Sequence, residues 1–144
     1  MINIAIAEDD KEDFLLLKEA IETVLPKINI IHSKDGQLFL QSLDDHAEPD
    51  LIFLDLNIPK KNGIHCLVAL RQQKKLKCTP VIIYSTSLDV EDIDCCYKHG
   101  CTLYLVKPPS YKDLVTQVRK IFFRIGLPRE NLKFKEMFVV QKQL

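Results

Sequence analysis

Asp50-Leu51-Ile52-Phe53-Leu54-Asp55-Leu56-Asn57-Ile58-Pro59-Lys60-Lys61-Asn62-Gly63 reads as a buried strand that delivers one carboxylate to its own end. Residues 51–54 form an unbroken apolar run, which suits a central parallel strand covered on both faces better than a half-exposed one. Asp55 arrives where that strand runs out. A charge buried there without a partner is costly, so the carboxylate is expected at the strand's carboxyl end, facing a cleft. Pro59 and the Asn62-Gly63 pair mark the loop into the next helix. Alone, the stretch is equally compatible with an Asp that merely ends a strand, and the rest of the chain has to decide.

Working outward, residues 2–7 form a strand, followed by Glu8-Asp9-Asp10 and a helix over 10–25 that Pro26 ends. Leu16, Leu17, Ala20, Ile21 and Val24 recur at helical spacing and make its core face, with Phe14 and Leu15 at the edge of the stripe. A second strand covers 28–31, a short helix 35–43 and a polar loop 44–49. After the opening stretch, a helix runs from Gly63 to about Lys75, with Ile64, Leu67, Val68 and Arg71 at its spacing. Residues 81–84 repeat the buried-strand pattern and end at Ser85-Thr86-Ser87. A helix over 89–99 is acid-rich in its first turn, as the helix dipole favours, and Gly100 is a left-handed stop. A fifth strand over 102–106 ends at Lys107-Pro108-Pro109, and Ser110 caps a last helix reaching about Arg124 with Leu114, Val118 and Ile121 inward. Five strands alternating with five helices imply an α/β fold with a right-handed, doubly wound parallel sheet.

Bulk properties agree. A chain of 144 residues, 47% hydrophobic and 28% charged, makes one well-cored domain. Residues 1–124 are assigned to it, and 125–144, after the break at Gly126 and Pro128, to an arm that is not a domain. The apolar run at 134–140 is expected to pack back on the body or to self-associate as a homodimer. Twenty basic against twenty acidic residues give no electrostatic case for nucleic acid or an anionic membrane. No run approaches membrane-spanning length and no basic leader precedes Glu8, so a soluble, cytoplasmic protein is expected. Five cysteines form an odd set without the pairing logic of a secreted framework. Cys95, Cys96, His99 and Cys101 crowd together but lack the two spaced pairs of a structural zinc site.

In an open parallel sheet, functional groups collect outside the carboxyl ends of the strands. Glu8 and Asp9 follow the first strand, Asp55 the third, Ser85 the fourth and Lys107 the fifth, so five polar groups are expected to converge on one cleft. Crowded carboxylates repel one another, and a hard divalent cation, Mg²⁺, relieves this through oxygen ligands. An ionised Asp55 can attack a phosphoryl group in line to form an acyl phosphate, with Mg²⁺, the Lys107 ammonium and the Ser85 hydroxyl neutralising charge. No general base is needed, in keeping with no histidine being read at a strand end.

Glu8-Asp9, Asp55, Ser85 and Lys107-Pro108, in this order and spacing, resemble the receiver domain of two-component response regulators over residues 2–124. The resemblance implies a flavodoxin-like sheet of strand order 2-1-3-4-5. It further implies that Asp55 is the phosphoacceptor from a histidine kinase or phosphotransfer protein, that Asp9 is the main metal ligand with Glu8 acting largely through water, and that the Asn57 backbone carbonyl completes the site. Ser85 resembles the family's switch hydroxyl, and Tyr104 the aromatic whose inward rotation reports its swing on the face of helix four, strand five and helix five. Lys107-Pro108 resembles the family's cis peptide. Ser85 replaces the commoner Thr. The stretch from Asp55 to Gly63 is similar to stand-alone regulators associated with bacterial phytochromes. The expected function is therefore phosphorylation-dependent protein contact with a downstream target, without enzymatic turnover beyond the protein's own phosphorylation and dephosphorylation. Phe14 and Leu15, at the cleft rim, are expected to help dock the kinase. An aspartyl-phosphate phosphohydrolase would want a second acid where Asn57 stands, a flavin module would find Glu8-Asp9-Asp10 repelling its phosphate, and an unphosphorylated scaffold is the remaining alternative.

Overall fold

The central strands of the computed structural model are buried on both faces, and that sets the architecture. The chain runs β1 (Ile2–Ala7), α1 (Lys11–Val24), β2 (Ile28–Ser33), α2 (Gly36–Asp45), β3 (Leu51–Leu54), α3 (Gly63–Gln72), a 3-10 turn (Lys74–Leu76), β4 (Val81–Ser85), α4 (Val90–Lys98), β5 (Leu103–Val106) and α5 (Tyr111–Ile125). The structure describes residues 1–127. The apolar run at 134–140, expected to pack back or self-associate, lies outside them. All five strands are parallel in the order β2-β1-β3-β4-β5, the doubly wound sheet that the alternation implies.

The period-2 alternation of strand side chains divides the interior into two layers. Ile4, Ile6, Leu51, Phe53, Ile82, Tyr84, Leu103 and Leu105 point to one face, under α1 and α5. Ala5, Ala7, Ile52, Leu54, Val81, Ile83 and Tyr104 point to the other, under α2, α3 and α4. The helices begin where short polar side chains can accept from free amides. Asp10 accepts from Asp13, Asp35 from Leu38, Asn62 from His65, Asp89 from Glu91 and Ser110 from Asp113.

Several expectations are corrected. Leu16, assigned to the buried face of α1, is 39% exposed, whereas Phe14 is half-buried. The face is set by Leu17, Ala20 and Ile21, and Phe14 joins it by stacking on His32, with ring centroids 3.6 Å apart. β2 continues two residues beyond Ile31, which puts His32 near its carboxyl end and removes the expectation that no histidine stands there. α3 stops at Gln72, and its inward residues include Cys66 and Leu70. Arg71 does not face the core. Its guanidinium donates to the carbonyls of Gly100 at 2.9 Å and of Leu76 and Thr79 at 2.7 Å each, binding α3 to the turns around it. Gly100 has φ of 96°, the left-handed stop expected of it.

Candidate functional site

Three residues at strand ends are placed by continuation of the sheet's own ladder. The Glu8 amide donates to the Ser33 carbonyl at 3.0 Å, Asp55 to Ala7 at 3.0 Å, and Lys107 to Ser85 at 2.8 Å. One step beyond each strand, alternation sends Glu8, Asp55 and Lys107 to the α1 side of the sheet, after Ile6, Phe53 and Leu105. Ser85 falls on the opposite side, after Tyr84, together with Tyr104. Thus one strand-end row splits into a charged half and a hydroxyl half.

In the charged half, the Lys107 ammonium lies 2.8 Å from Glu8 Oε1, 2.8 Å from Asp13 Oδ2 and 3.1 Å from Asp55 Oδ2. Glu8 and Asp55 are buried, at 1% and 6% exposure. Glu8, Asp9 and Asp55 each offer a carboxylate oxygen within 4.8 Å of the others, the only group of three or more metal-ligating side chains among the described residues. Cys95, Cys96, His99 and Cys101 do not form such a group. The donor set suits a hard divalent cation: oxygens only, all from carboxylates, two of them withdrawn from water. Asp55 Oδ1 also accepts from the Asn57 amide at 3.3 Å. Gly63 closes the loop behind it: its amide donates to the Leu56 carbonyl at 2.9 Å, and a Cβ there would collide with the Asp55 carbonyl.

Electrostatics follow from burial and charge count. Burial pushes the Glu8 carboxyl up to about 8; hydrogen bonding to Lys107 opposes this, and the neighbouring Asp55 adds to it. For Lys107, burial acts downward but the Asp13 and Glu8 carboxylates outweigh it, so the ammonium is held above the ordinary lysine range. Three carboxylates thus share the Lys107 ammonium, and Glu8 is the most buried of them. The ammonium also stands 5.1 Å from the centroid of the Tyr84 ring.

In the hydroxyl half, Ser85 is fully buried and its Oγ accepts from the Ser87 amide at 3.2 Å. Tyr104 is fully buried too; its hydroxyl donates to the Ser87 carbonyl at 2.9 Å, and its amide donates to the Tyr97 hydroxyl at 3.1 Å. The Ser87 hydroxyl donates to Asp92 at 2.6 Å, tying the same loop to α4. Ser85 and Tyr104 therefore both hold the backbone of Ser87, a residue that sequence reasoning gave no role.

Of the residues expected in the cleft, Glu8, Asp9, Asp55 and Lys107 come together, and Ser85 sits beside them on the far side of the sheet. Asp13 was missed. Leu15 is 48% exposed on α1, while Phe14 is largely occupied by His32, whose Nε2 lies 2.8 Å from the Glu8 carbonyl oxygen.

A family model described as the response regulator receiver domain matches residues 4–119. Response regulator Rcp1 of Synechocystis sp. is 35% identical over 124 residues, spanning 82% of this chain and 84% of the relative. The transcriptional regulatory protein CpxR of Escherichia coli is 39% identical over 124 residues, 86% of this chain but 50% of CpxR. Among solved structures, the Mn²⁺-bound form of Rcp1 superposes with a TM-score of 0.79 at 31% identity, covering 89% of this chain and 96% of that one. The phosphorylated cyanobacterial phytochrome response regulator RcpA does so with a TM-score of 0.79 at 30% identity, covering 85% and 92%.

Proposed function

The chain belongs to the response regulator receiver domain family, and from that premise we propose that Asp55 is its phosphoacceptor, with Mg²⁺ at Glu8, Asp9, Asp55 and the Asn57 backbone carbonyl. The observation that carries the assignment is Lys107, held 3.1 Å from Asp55 at the rim of the three-carboxylate group. An Asp55 oxygen attacks phosphorus, the bond from phosphorus to the donor nitrogen or oxygen breaks, and its electron pair leaves with the donor, a histidine imidazole or acetate. When bound, the metal neutralises charge on the transferring group. Lys107, beside Asp55, would donate to that group, and burial of Glu8 and Asp55 excludes competing water.

Signalling then runs through the hydroxyl half. To reach a phosphoryl group, Ser85 must release the Ser87 amide, and Ser87 is the residue that holds the Tyr104 hydroxyl. Tyr104 already lies inward, so phosphorylation is a shift in the population of an existing arrangement. The phosphoryl donor is a sensor histidine kinase or phosphotransfer protein, contacted through exposed Leu15 with Phe14 supporting it from below, and the output is contact with a protein target or a second copy of the chain. Changing Phe14 and Leu15 to Ala together slows phosphotransfer, and an unaltered rate sinks that contact.

The phosphohydrolase alternative gains nothing from the site, because exposed Asn57 supplies no second acid. The deciding experiment is intact mass after incubation with acetyl phosphate, with and without Mg²⁺, for wild type and Asp55→Asn. One added phosphoryl group that needs both Mg²⁺ and Asp55 is expected; addition to Asp55→Asn, or none to wild type, overturns the assignment.

A further inference from the structure

Lys107 has three N–H donors and no more, and in this structure three carboxylates stand around them: Glu8, Asp13 and Asp55. Two of the three belong to the metal-binding group. Once a cation draws on Glu8 and Asp55, the oxygens they offer to Lys107 are contested, while Asp13 stands outside that group and keeps its oxygen for the ammonium. The backbone of Asp13 is also fixed in place. Its amide donates to the Asp10 side chain at 2.9 Å in the N-terminal cap of α1, and the Asp10 amide donates to Glu8 Oε2 at 3.2 Å. Asp13 thus reaches the ammonium from the first turn of a capped helix.

We propose that Asp13 is a positioning residue: it anchors the Lys107 ammonium beside Asp55 when metal is bound, and so sets the rate at which Asp55 takes a phosphoryl group. This rests on Asp55 being the phosphoacceptor. Without Asp13, a flexible four-carbon stem carries the ammonium with one tether fewer, and lost orientation costs rate. The opposing effect, relief of one negative charge near the incoming phosphoryl group, is weakened because the Asp13 side chain is 34% exposed and its charge is already paired with the ammonium.

The test compares wild type, Asp13→Asn, Asp13→Glu, Lys107→Ala and the Asp13→Asn/Lys107→Ala pair. Three quantities are read: Mg²⁺ affinity by calorimetry, phosphorylation rate with acetyl phosphate at saturating Mg²⁺, and the rate of amine labelling at Lys107 by peptide mass. For Asp13→Asn we expect Mg²⁺ affinity within about twofold, phosphorylation slowed roughly fivefold and Lys107 labelled at least about threefold faster. Asp13→Glu restores part of both changes, and in the Lys107→Ala background the Asn substitution changes the rate by less than about twofold. An unchanged labelling rate, a phosphorylation rate that stays level or rises, a loss of Mg²⁺ affinity matching the loss of rate, or an undiminished effect in the Lys107→Ala background each overturns the proposal. A wild type that takes no phosphoryl group refutes the Asp55 assignment instead, and the labelling comparison alone then decides whether Asp13 holds the ammonium.

Discussion

Lys107→Ala removes the cation that the Glu8, Asp13 and Asp55 carboxylates share, and the cost can be worked from their surroundings. The Lys107 side chain is 11% exposed and its partners Glu8, Asp55 and Asp13 are 1%, 8% and 34% exposed as side chains. Removing one partner of a buried ion pair costs about 3–5 kcal/mol, because the other charge is left uncompensated. The lower end applies here: Asp13 can turn to water, and Glu8 can become neutral. With its carboxyl pushed up to about 8 by burial, Glu8 holds its proton at neutral pH, and more firmly once Lys107 is gone. The expected loss is about 3 kcal/mol near pH 7 without metal. The sign of its pH dependence follows. A carboxyl with a raised folded-state pKa binds more protons folded than unfolded, so its stabilising effect falls as pH climbs from the unfolded value toward the folded one. In wild type that fall is complete near pH 8; in the variant it continues. The deficit should therefore widen above pH 8 by up to about 1.4 kcal/mol per unit. Millimolar Mg²⁺ supplies the missing positive charge and should narrow it, with the variant binding the ion more tightly than wild type. Urea denaturation followed by circular dichroism across this pH range, with chelator or Mg²⁺, reads all three effects. A deficit under about 1 kcal/mol, the same at every pH and in both conditions, would refute a buried, load-sharing ammonium.

Other perturbations probe other parts of the molecule. Glu8→Gln should flatten the metal-free pH profile: wild-type stability declines by about 1 kcal/mol per unit as pH rises from 5 toward 8, and the variant lacks that slope in urea titrations. Arg71→Ala leaves the Gly100, Leu76 and Thr79 carbonyls without their shared donor and should cost about 2–3 kcal/mol by thermal denaturation, of which Arg71→Lys recovers less than half because an ammonium lacks the planar fork. Gly36→Ala drives a Cβ into the Lys61 carbonyl, backbone that cannot swing aside, and should cost about 2–3 kcal/mol while weakening Mg²⁺ binding through the displaced loop after β3, measured by calorimetry. Tyr104→Phe frees the Ser87 carbonyl and should cost about 1 kcal/mol in urea, with α4 amides exchanging hydrogen faster.

The parallel sheet was legible because short, mostly apolar strands of four to six residues, alternating with helices, admit few other arrangements. Glu8, Asp55 and Lys107 were legible for the same reason, since a strand's end is where its sequence stops being apolar. Asp13 was not. It lies on a helix, in a first turn where acids are common for dipole reasons alone, and nothing local distinguishes it from Glu12. The signal that finds it is alternation along three strands at once: Glu8, Asp55 and Lys107 share the parity of the layer under α1, so the first turn of α1 is what they meet. Leu16 misled because a run of three leucines, Leu15 to Leu17, offers helical periodicity more than one face to choose; the burial of Leu17, Ala20 and Ile21 and the stack of Phe14 on His32 decide it. Arg71 misled in the opposite way, as a residue at core spacing whose long stem carries its charge to carbonyls at the helix end.

The same topology accounts for the type of residue at position 107. Strand order puts β5 two places from β3, with β4 between them, and neighbouring strands lie about 4.8 Å apart, so Lys107 and Asp55 leave the sheet from points separated by roughly 10 Å. A side chain that closes this gap must be long, must cross the end of β4, and must carry its charge on a single atom small enough for three carboxylates to reach. Lysine meets all three conditions. Its stem passes over β4 where Tyr84 presents an aromatic ring, with the ammonium 5.1 Å from the centroid, a surface that tolerates both the methylenes and the charge. Arginine would reach as far, but its planar fork suits two oxygens of one carboxylate better than three carboxylates arriving from β1, β3 and α1. The position of the cation is thus a consequence of strand order, and the layer shared with α1 is what brings the third carboxylate to it.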